Sequence, residues 1–181
     1  MNDLVRLAAL IRRRNALNRE IALLVGRPAL MGHVGEYIAS KVFGIVLEES
    51  ASHKSIDGQF GDGPLKGYTV NIKWYARREG VLDITPDALP DYYLVLTGPK
   101  SAAQSSNGKM RPWLIENAYL FDAQNLADEL RRRGAKMGVA TSVRQQLWAQ
   151  AEIYPTLVNP IYPLTQEQRE LLALFGSSSG G

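Results

Sequence analysis

The stretch Val70-Asn71-Ile72-Lys73-Trp74 predicts a β-strand with one apolar and one polar face. Its apolar and polar residues alternate, and a period of two sends successive side chains to opposite faces of a β-strand. Val70, Ile72 and Trp74 therefore share an apolar face that a core can cover. Asn71 and Lys73 share the other face, where an amide and an amine lie side by side.

The rest of the chain predicts a single α/β domain around this strand. Gly and Pro clusters mark the turns, Asp122 and Thr165 are predicted helix caps, and an apolar run over residues 92–97 is short enough to be a central strand. Helices are predicted over residues 3–25, from about 28 or 32 to 43, over ten residues after Asp122, and over 142–150 and 165–175. Strands are predicted over residues 45–49, 66–76, 92–97, 113–121 and 137–141. This order favours a sandwich with a central mixed sheet flanked by helices, with a mobile loop over 98–108 and a flexible tail over 176–181.

Composition limits the kind of protein and the kind of metal site. With 181 residues, 45% of them hydrophobic and 22% charged, residues 1–175 are expected to fold as one domain. No apolar run approaches the length of a membrane span, so we expect no membrane association and a cytoplasmic location. The absence of cysteine and the presence of only two histidines exclude thiolate and all-imidazole metal centres within one chain. A metal here is therefore expected to be a hard cation bound by oxygen atoms.

Positive charge is concentrated near the N-terminus. The net charge is only +3, but the first thirty residues contain six arginines and two acidic residues. Such a cluster either contacts phosphates or forms a solvated helix face. Arg77 and Arg78 follow the Lys73 strand directly and are the best-placed candidates for nucleic-acid contacts.

Two acidic residues precede the strand and supply candidate metal ligands. Glu36 lies on the predicted second helix, and Asp57 lies before Gly58 in the first half of a predicted hairpin that ends in the strand of Lys73. Hydrolysis of a phosphodiester requires a cation at the phosphate and an activated water, and two carboxylates can hold Mg²⁺ for that purpose. A lysine beside the metal can stabilise charge in the transition state. Glu36, Asp57, Asn71 and Lys73 therefore suggest a metal-dependent phosphodiesterase.

At these residues the sequence resembles the PD-(D/E)xK nuclease superfamily, which has the restriction-endonuclease-like fold. Gly35-Glu36-Tyr37-Ile38-Ala39 resembles the family's Glu-bearing helix, Ile56-Asp57-Gly58 its hairpin acid, and Val70-Asn71-Ile72-Lys73 its strand motif. The resemblance covers roughly residues 32–97 and is closest to the Mrr-like style of motif. It implies an endonuclease that acts on DNA with Mg²⁺ or Mn²⁺. The metal would be held by Asp57, the backbone carbonyl of Ile72 and Glu36, with Lys73 as the catalytic lysine.

Asn71 departs from the family pattern, which more often has a carboxylate at that position. An amide oxygen can still bind a metal but brings no charge, so the site then depends on Glu36, or on Asp62, Glu79 or Asp83 as a substitute. The alternative function is a catalytically weakened nuclease-fold module that binds nucleic acid or a protein partner. The resemblance is also compatible with a homodimer, for which the N-terminal helix offers a surface.

Overall fold

The computed structural model describes residues 2–49, 55–100 and 111–177, which form a β-sheet with helices on both faces. The helices are α1 (Asn2–Val25), α2 (Met31–Phe43), α3 (Ala123–Arg132), α4 (Gln145–Ala151) and α5 (Gln166–Ala173). The strands are β1 (Ile45–Leu47), β2 (Gly58–Phe60), β3 (Thr69–Tyr75), β4 (Val81–Leu82), β5 (Tyr92–Thr97), β6 (Asn117–Asp122), β7 (Thr141–Ser142) and β8 (Glu152–Tyr154).

The main sheet has six strands in the order β1-β2-β3-β5-β6-β8. Strands β3 and β5 run parallel, and the other neighbouring pairs are antiparallel. Strands β4 and β7 form a separate antiparallel pair. The prediction of an α/β fold with a central mixed sheet is therefore confirmed, and the stretch Val70–Trp74 lies in β3, inside the sheet.

Each face of the sheet is covered by its own hydrophobic core. Val70, Ile72 and Trp74 pack in the core that α2 and α5 cover, as their alternation in the sequence predicts. Tyr93 and Val95 of β5 belong to the other core, together with buried residues of α3 and α4. Since Asn71 pairs with Tyr93 and Lys73 with Val95 across the parallel strands, the polar face of β3 points toward this second layer.

Several predicted helix ends are confirmed by their hydrogen bonds. Asp122 caps α3, because its Oδ1 accepts a hydrogen bond of 2.8 Å from the backbone N–H of Asn125. Thr165 and Gln168 form the predicted reciprocal capping box at the start of α5. The helix expected over residues 142–150, however, begins only at residue 145, because Ser142 pairs with Val81 in β7.

Four of the five predicted strands have other boundaries in the structure, and three strands were missed. The strand expected over residues 113–121 begins at 117, and the one expected over 137–141 reduces to the two-residue β7. The missed strands β2, β4 and β8 have only two or three residues, too few to show an alternating pattern. Residues 101–108 of the expected mobile loop and 178–181 of the expected tail lie outside the described residues. No helix in the described ranges is long and apolar enough to cross a membrane.

Candidate active site

Asp57 is fixed against β3 by two hydrogen bonds. It comes directly before β2, and its backbone N–H donates to the carbonyl of Val70 over 2.9 Å. Its side-chain Oδ2 accepts a hydrogen bond of 2.6 Å from the backbone N–H of Ile72. The hairpin of β2 and β3 thus places this carboxylate beside the strand that carries Asn71 and Lys73, as the sequence predicts.

The same contact determines where the carbonyl of Ile72 lies. The pairing of β2 with β3 stops at the partners Gly58 and Val70, so no residue of β2 pairs with Ile72. In a strand the N–H and the C=O of one residue face the same neighbour. Because the Ile72 N–H points to Asp57, its carbonyl oxygen lies on the Asp57 side of β3, where the resemblance predicts a metal ligand.

Burial makes the negative charge of Asp57 costly. Removal from water raises the pKa of this carboxyl above its ordinary value of 3.8, and the nearby charge of Glu36 raises it further. The N–H of Ile72 and the positive charges of Lys73 and Arg27 act in the opposite direction but do not cancel the effect of burial. A buried carboxylate with a raised pKa gains from a cation that is placed next to it.

Helix α2 brings the charge of Glu36 close enough to act on Asp57, because the helix lies unusually close to β3. Gly35 is buried against Trp74, and a Cβ atom at position 35 would come within 3.0 Å of the Trp74 Cβ. The absence of a side chain at this position lets the helix backbone approach the strand. The sequence could not show this packing, and the electrostatic influence of Glu36 on Asp57 is its consequence.

We expect Gly35→Ala to reduce the free energy of unfolding by roughly 1–3 kcal/mol, because the added methyl group must push α2 away from Trp74. Gly32→Ala in the same helix is the matched control. A Cβ atom at Gly32 meets no atom within 4 Å, so this change should be neutral or stabilise the fold by roughly 0.5 kcal/mol. Urea unfolding measures both, and equal effects of the two changes would contradict the close approach of helix and strand.

The carboxylate of Glu36 is not free, because it forms an ion pair with Arg27. Arg27 follows α1 and its side chain is about half exposed, whereas that of Glu36 is 18% exposed. His33, one turn before Glu36, does not orient it among the described contacts: its Nδ1 lies 3.0 Å from the carbonyl oxygen of Pro28. A guanidinium group therefore neutralises the second carboxylate of the site.

Asn71, Lys73 and Asp57 line one polar cavity of about 310 Å³. Asn71 is 3% exposed, and its Oδ1 atom has no hydrogen-bond partner among the described residues. Leaving a buried acceptor unpaired costs about 1–3 kcal/mol. The unpaired oxygen therefore indicates that this cavity receives a donor or a cation. The remaining lining residues are Ser55, Asp83, Thr85 and Tyr93.

The three acidic residues considered as substitute metal ligands lie in different surroundings. Asp83 lines this cavity, and its Oδ1 accepts a hydrogen bond of 2.7 Å from the N–H of Ala140. Asp62 lines a different cavity beside Gly44, and Glu79 is paired with Arg111 over 3.3 Å. Of the three, only Asp83 reaches the polar face of β3.

Sequence reasoning missed Thr85 and Tyr93 as cavity residues. Tyr93 is buried, and its hydroxyl also has no hydrogen-bond partner of normal geometry in the described chain. Its place beside Asn71 results from the parallel pairing of β3 with β5. An apolar run predicts a buried strand but not its neighbour, so no local signal identifies this tyrosine.

The two candidate arginines after β3 differ in exposure. Arg77 is half-buried, which leaves part of its side chain open to a phosphate. Arg78 is only 8% exposed, donates a hydrogen bond of 2.8 Å to the side chain of Gln145, and lies 5.8 Å from the ring centres of Tyr119 and Trp148. Its guanidinium packs the second core, so direct contact of Arg78 with nucleic acid does not fit this structure, whereas the prediction for Arg77 stays open.

The residues present fit a hard divalent cation. No three His, Cys, Asp or Glu side chains converge within the described parts of the chain, so a cage of acidic ligands is not built here. Asp57, the unpaired Oδ1 of Asn71 and the carbonyl of Ile72 are nevertheless oxygen donors of the kind that Mg²⁺ and Mn²⁺ prefer. Glu36 is paired with Arg27 and is not among the described residues that line this cavity.

Comparison with models of known protein families and with curated proteins found no match to this chain.

Proposed function

We propose that this chain is a metal-dependent nuclease that hydrolyses phosphodiester bonds in DNA, with the restriction-endonuclease-like fold. One observation carries the proposal: the unpaired, buried Oδ1 of Asn71 shares a cavity with the carboxylate of Asp57 and with Lys73. A cation-binding pair of oxygens beside an amine suits attack on a phosphodiester. The order of α2 with Glu36, Asp57 before β2 and Lys73 in β3 also supports the proposal, because the resemblance implies the same order.

In this proposal Asp57, Asn71 and the carbonyl of Ile72 hold Mg²⁺ or Mn²⁺, with Glu36 as a further ligand. When bound, the metal lowers the pKa of a coordinated water and offsets the charge of the phosphate. The hydrogen bond from the Ile72 N–H keeps the Asp57 carboxylate in one orientation. Lys73 stabilises the negative charge that develops on the phosphate oxygens in the transition state.

Positive side chains near the site support nucleic acid as the substrate. Arg77 directly follows β3 and is half-buried, and the charge of Arg27 acts on Asp57. Neutralisation of phosphates by such side chains supplies much of the affinity for DNA and makes it dependent on salt. We therefore expect binding to plasmid DNA to weaken steeply as salt rises.

The direct experiment incubates the purified protein with supercoiled plasmid DNA and Mg²⁺ or Mn²⁺, alongside Asp57→Ala and Lys73→Ala. The proposal expects nicking or linearisation by the wild-type protein, none with a chelator, and little with either variant. Open-circular and linear products identify an endonuclease. Equal cleavage by all three proteins would show a contaminating nuclease and reject the assignment.

A second candidate function is a nuclease-fold module that binds nucleic acid or a protein partner without cleaving DNA. The ion pair between Arg27 and Glu36 favours it, because a bound guanidinium takes the place in which a metal would contact Glu36. Asn71, which brings no charge, favours it as well. Calorimetric titration with Mn²⁺ separates the candidates, since only the enzyme requires a metal.

Arg27→Ala tests whether Glu36 belongs to the metal site. If Glu36 is a ligand, loss of its partner should tighten Mn²⁺ binding roughly two- to fivefold, which is the strength of a partly exposed ion pair. The measurement is calorimetric titration at mildly alkaline pH, so that Asp57 stays ionised. Arg19→Ala on exposed α1 is the control and should leave the affinity unchanged. Unchanged or weaker binding by Arg27→Ala would exclude Glu36 as a ligand.

A further inference from the structure

Much of helix α1 carries large apolar side chains that the described chain does not cover. The last third of the helix is half-buried at Asn18, Ile21, Ala22 and Val25. The preceding turns are exposed except at two alanines. Four exposed leucines lie there: Leu4 is 71% exposed, Leu7 51%, Leu10 49% and Leu17 58%. Contiguous exposed apolar surface of this kind marks an interaction site in a folded protein.

Three of these leucines, Leu7, Leu10 and Leu17, follow the seven-residue repeat of a coiled coil. Positions 3, 10, 17 and 24 form one core row, which contains Asp3, Leu10, Leu17 and Leu24. Positions 7, 14 and 21 form the other row, which contains Leu7, Arg14 and Ile21. Alternating spacings of three and four residues place both rows on one side of a helix. The pattern indicates a second helix as the partner. The charged residues of the two rows determine the orientation and the register of that helix.

An open groove runs along the same side of the helix. Leu10, Leu17 and Ile21 face Trp113 across a cavity of about 490 Å³, and Trp113 is 42% exposed. Arg13, Arg14 and Asn18 complete its lining. The core rows of α1 thus border a groove that side chains from another helix can enter.

We propose that α1 pairs with α1 of a second copy of this chain in antiparallel orientation. In the register that places Leu7 opposite Leu10 of the other copy, Asp3 lies opposite Arg14 of the other copy, and the two-fold axis repeats both pairs. The two charged interruptions of the core rows then neutralise each other. A parallel pairing in register would instead place Arg14 against Arg14 and Asp3 against Asp3, so the charge pattern selects the antiparallel arrangement.

The antiparallel register places the Val25 ends of the two helices at opposite ends of the pair. Residues 3–14 of the two helices overlap, so Leu7 and Leu10 of each copy lie in the interface, and the part of the groove beside Leu17 and Ile21 lies beyond it. The overlap is about three turns, which is less than the surface of a permanent dimer. We therefore expect a reversible dimer with a Kd in the micromolar range. This pairing depends on α1 and is independent of the proposed nuclease activity.

Sedimentation velocity of the full chain from low to high micromolar concentration tests the pairing. The wild-type protein should shift from monomer to dimer over this range, and Leu10→Glu, which places two carboxylates in the centre of the interface, should remain a monomer. Leu23→Glu is the matched control, because Leu23 is 78% exposed but lies outside both core rows. A wild-type monomer at every concentration, or a dimer that persists in Leu10→Glu, would overturn the proposal.

A charge exchange tests the antiparallel register separately. Asp3→Arg or Arg14→Asp alone puts like charges opposite each other at two symmetric places and should raise the Kd about tenfold. The double variant with both changes restores opposite charges and should return the Kd to near the wild-type value. If the double variant does not recover the wild-type Kd, this register is rejected, because it is the register that places Asp3 opposite Arg14 of the other copy.

Discussion

Lys73→Ala is expected to lower the rate of DNA cleavage by at least roughly a hundredfold while Mn²⁺ affinity stays nearly the same. Lys73 shares a face of β3 with Asn71 and lines the cavity of Asp57. In the proposed reaction its ammonium group stabilises charge that appears on the phosphate only in the transition state. The oxygen atoms that are proposed to hold the metal all remain in the variant. Loss of kcat without loss of metal binding is therefore the signature of this role.

One side effect of Lys73→Ala must be kept apart from the loss of catalysis. The charge of Lys73 lowers the pKa of Asp57, so its removal lets that carboxyl hold a proton more tightly. Assays at mildly alkaline pH keep Asp57 ionised in both proteins. Lys66→Ala, which removes an exposed lysine from the turn before β3, is the control and should cleave like wild type. Equal activity of the two variants would remove Lys73 from the catalytic site.

The sequence predicted the centre of the site because its signals are local. The alternation in β3 placed Val70 and Ile72 in the core and Asn71 and Lys73 together on the other face, and the structure agrees. The turn residues before β3 predicted the hairpin that holds Asp57 beside it. Each of these inferences needs only residues that are close in the sequence and a known period.

The parts of the site that were not predicted depend on contacts between distant segments. Arg27 is nine residues from Glu36, yet their ion pair forms only because the chain turns between α1 and α2. Tyr93 enters the cavity through the parallel pairing of β3 and β5. Asp83, which the sequence offered only as one of three substitute acids, enters it from the loop after β4. Neither the partner of a strand nor the path of a loop is encoded in a repeating pattern, so a single sequence does not show them.

Gly35 in α2 is another residue whose role a single sequence does not show. Gly35 in the middle of a helix reads as a weak helix former, with a cost near 1 kcal/mol relative to alanine. Its purpose appears only in the structure, where Trp74 occupies the space of the missing side chain. A locally unfavourable residue at this point therefore marks the place where the helix of Glu36 meets the strand of Lys73.

Asp57→Asn is expected to abolish cleavage and, at neutral pH, to make the fold more stable by on the order of 1 kcal/mol. Asparagine keeps an oxygen that can accept the hydrogen bond from Ile72 but removes a charge that burial and Glu36 both disfavour. The same charge attracts the metal in the proposed reaction. In the proposed reaction this carboxylate would hold the cation at a cost in the stability of the fold.

The pH dependence identifies the cause of the extra stability. Because the pKa of Asp57 is raised on folding, the folded protein holds this proton more tightly than the unfolded chain does. The stability that Asp57 contributes is therefore largest below its ordinary value of 3.8 and falls as the pH rises through the raised pKa. The advantage of Asp57→Asn over wild type should be absent in acid, grow through that range, and be constant at neutral pH.

Urea unfolding of both proteins across this pH range, with and without Mn²⁺, measures the effect. Mn²⁺ should stabilise the wild-type protein, because it binds the ionised carboxylate in the folded state only, and should leave Asp57→Asn unchanged. Asp87→Asn, which alters an exposed aspartate in a turn, is the control and should show neither effect. If Asp57→Asn is less stable than wild type at neutral pH, the buried charge supports the fold, and the raised pKa of Asp57 does not reflect a site prepared for a cation.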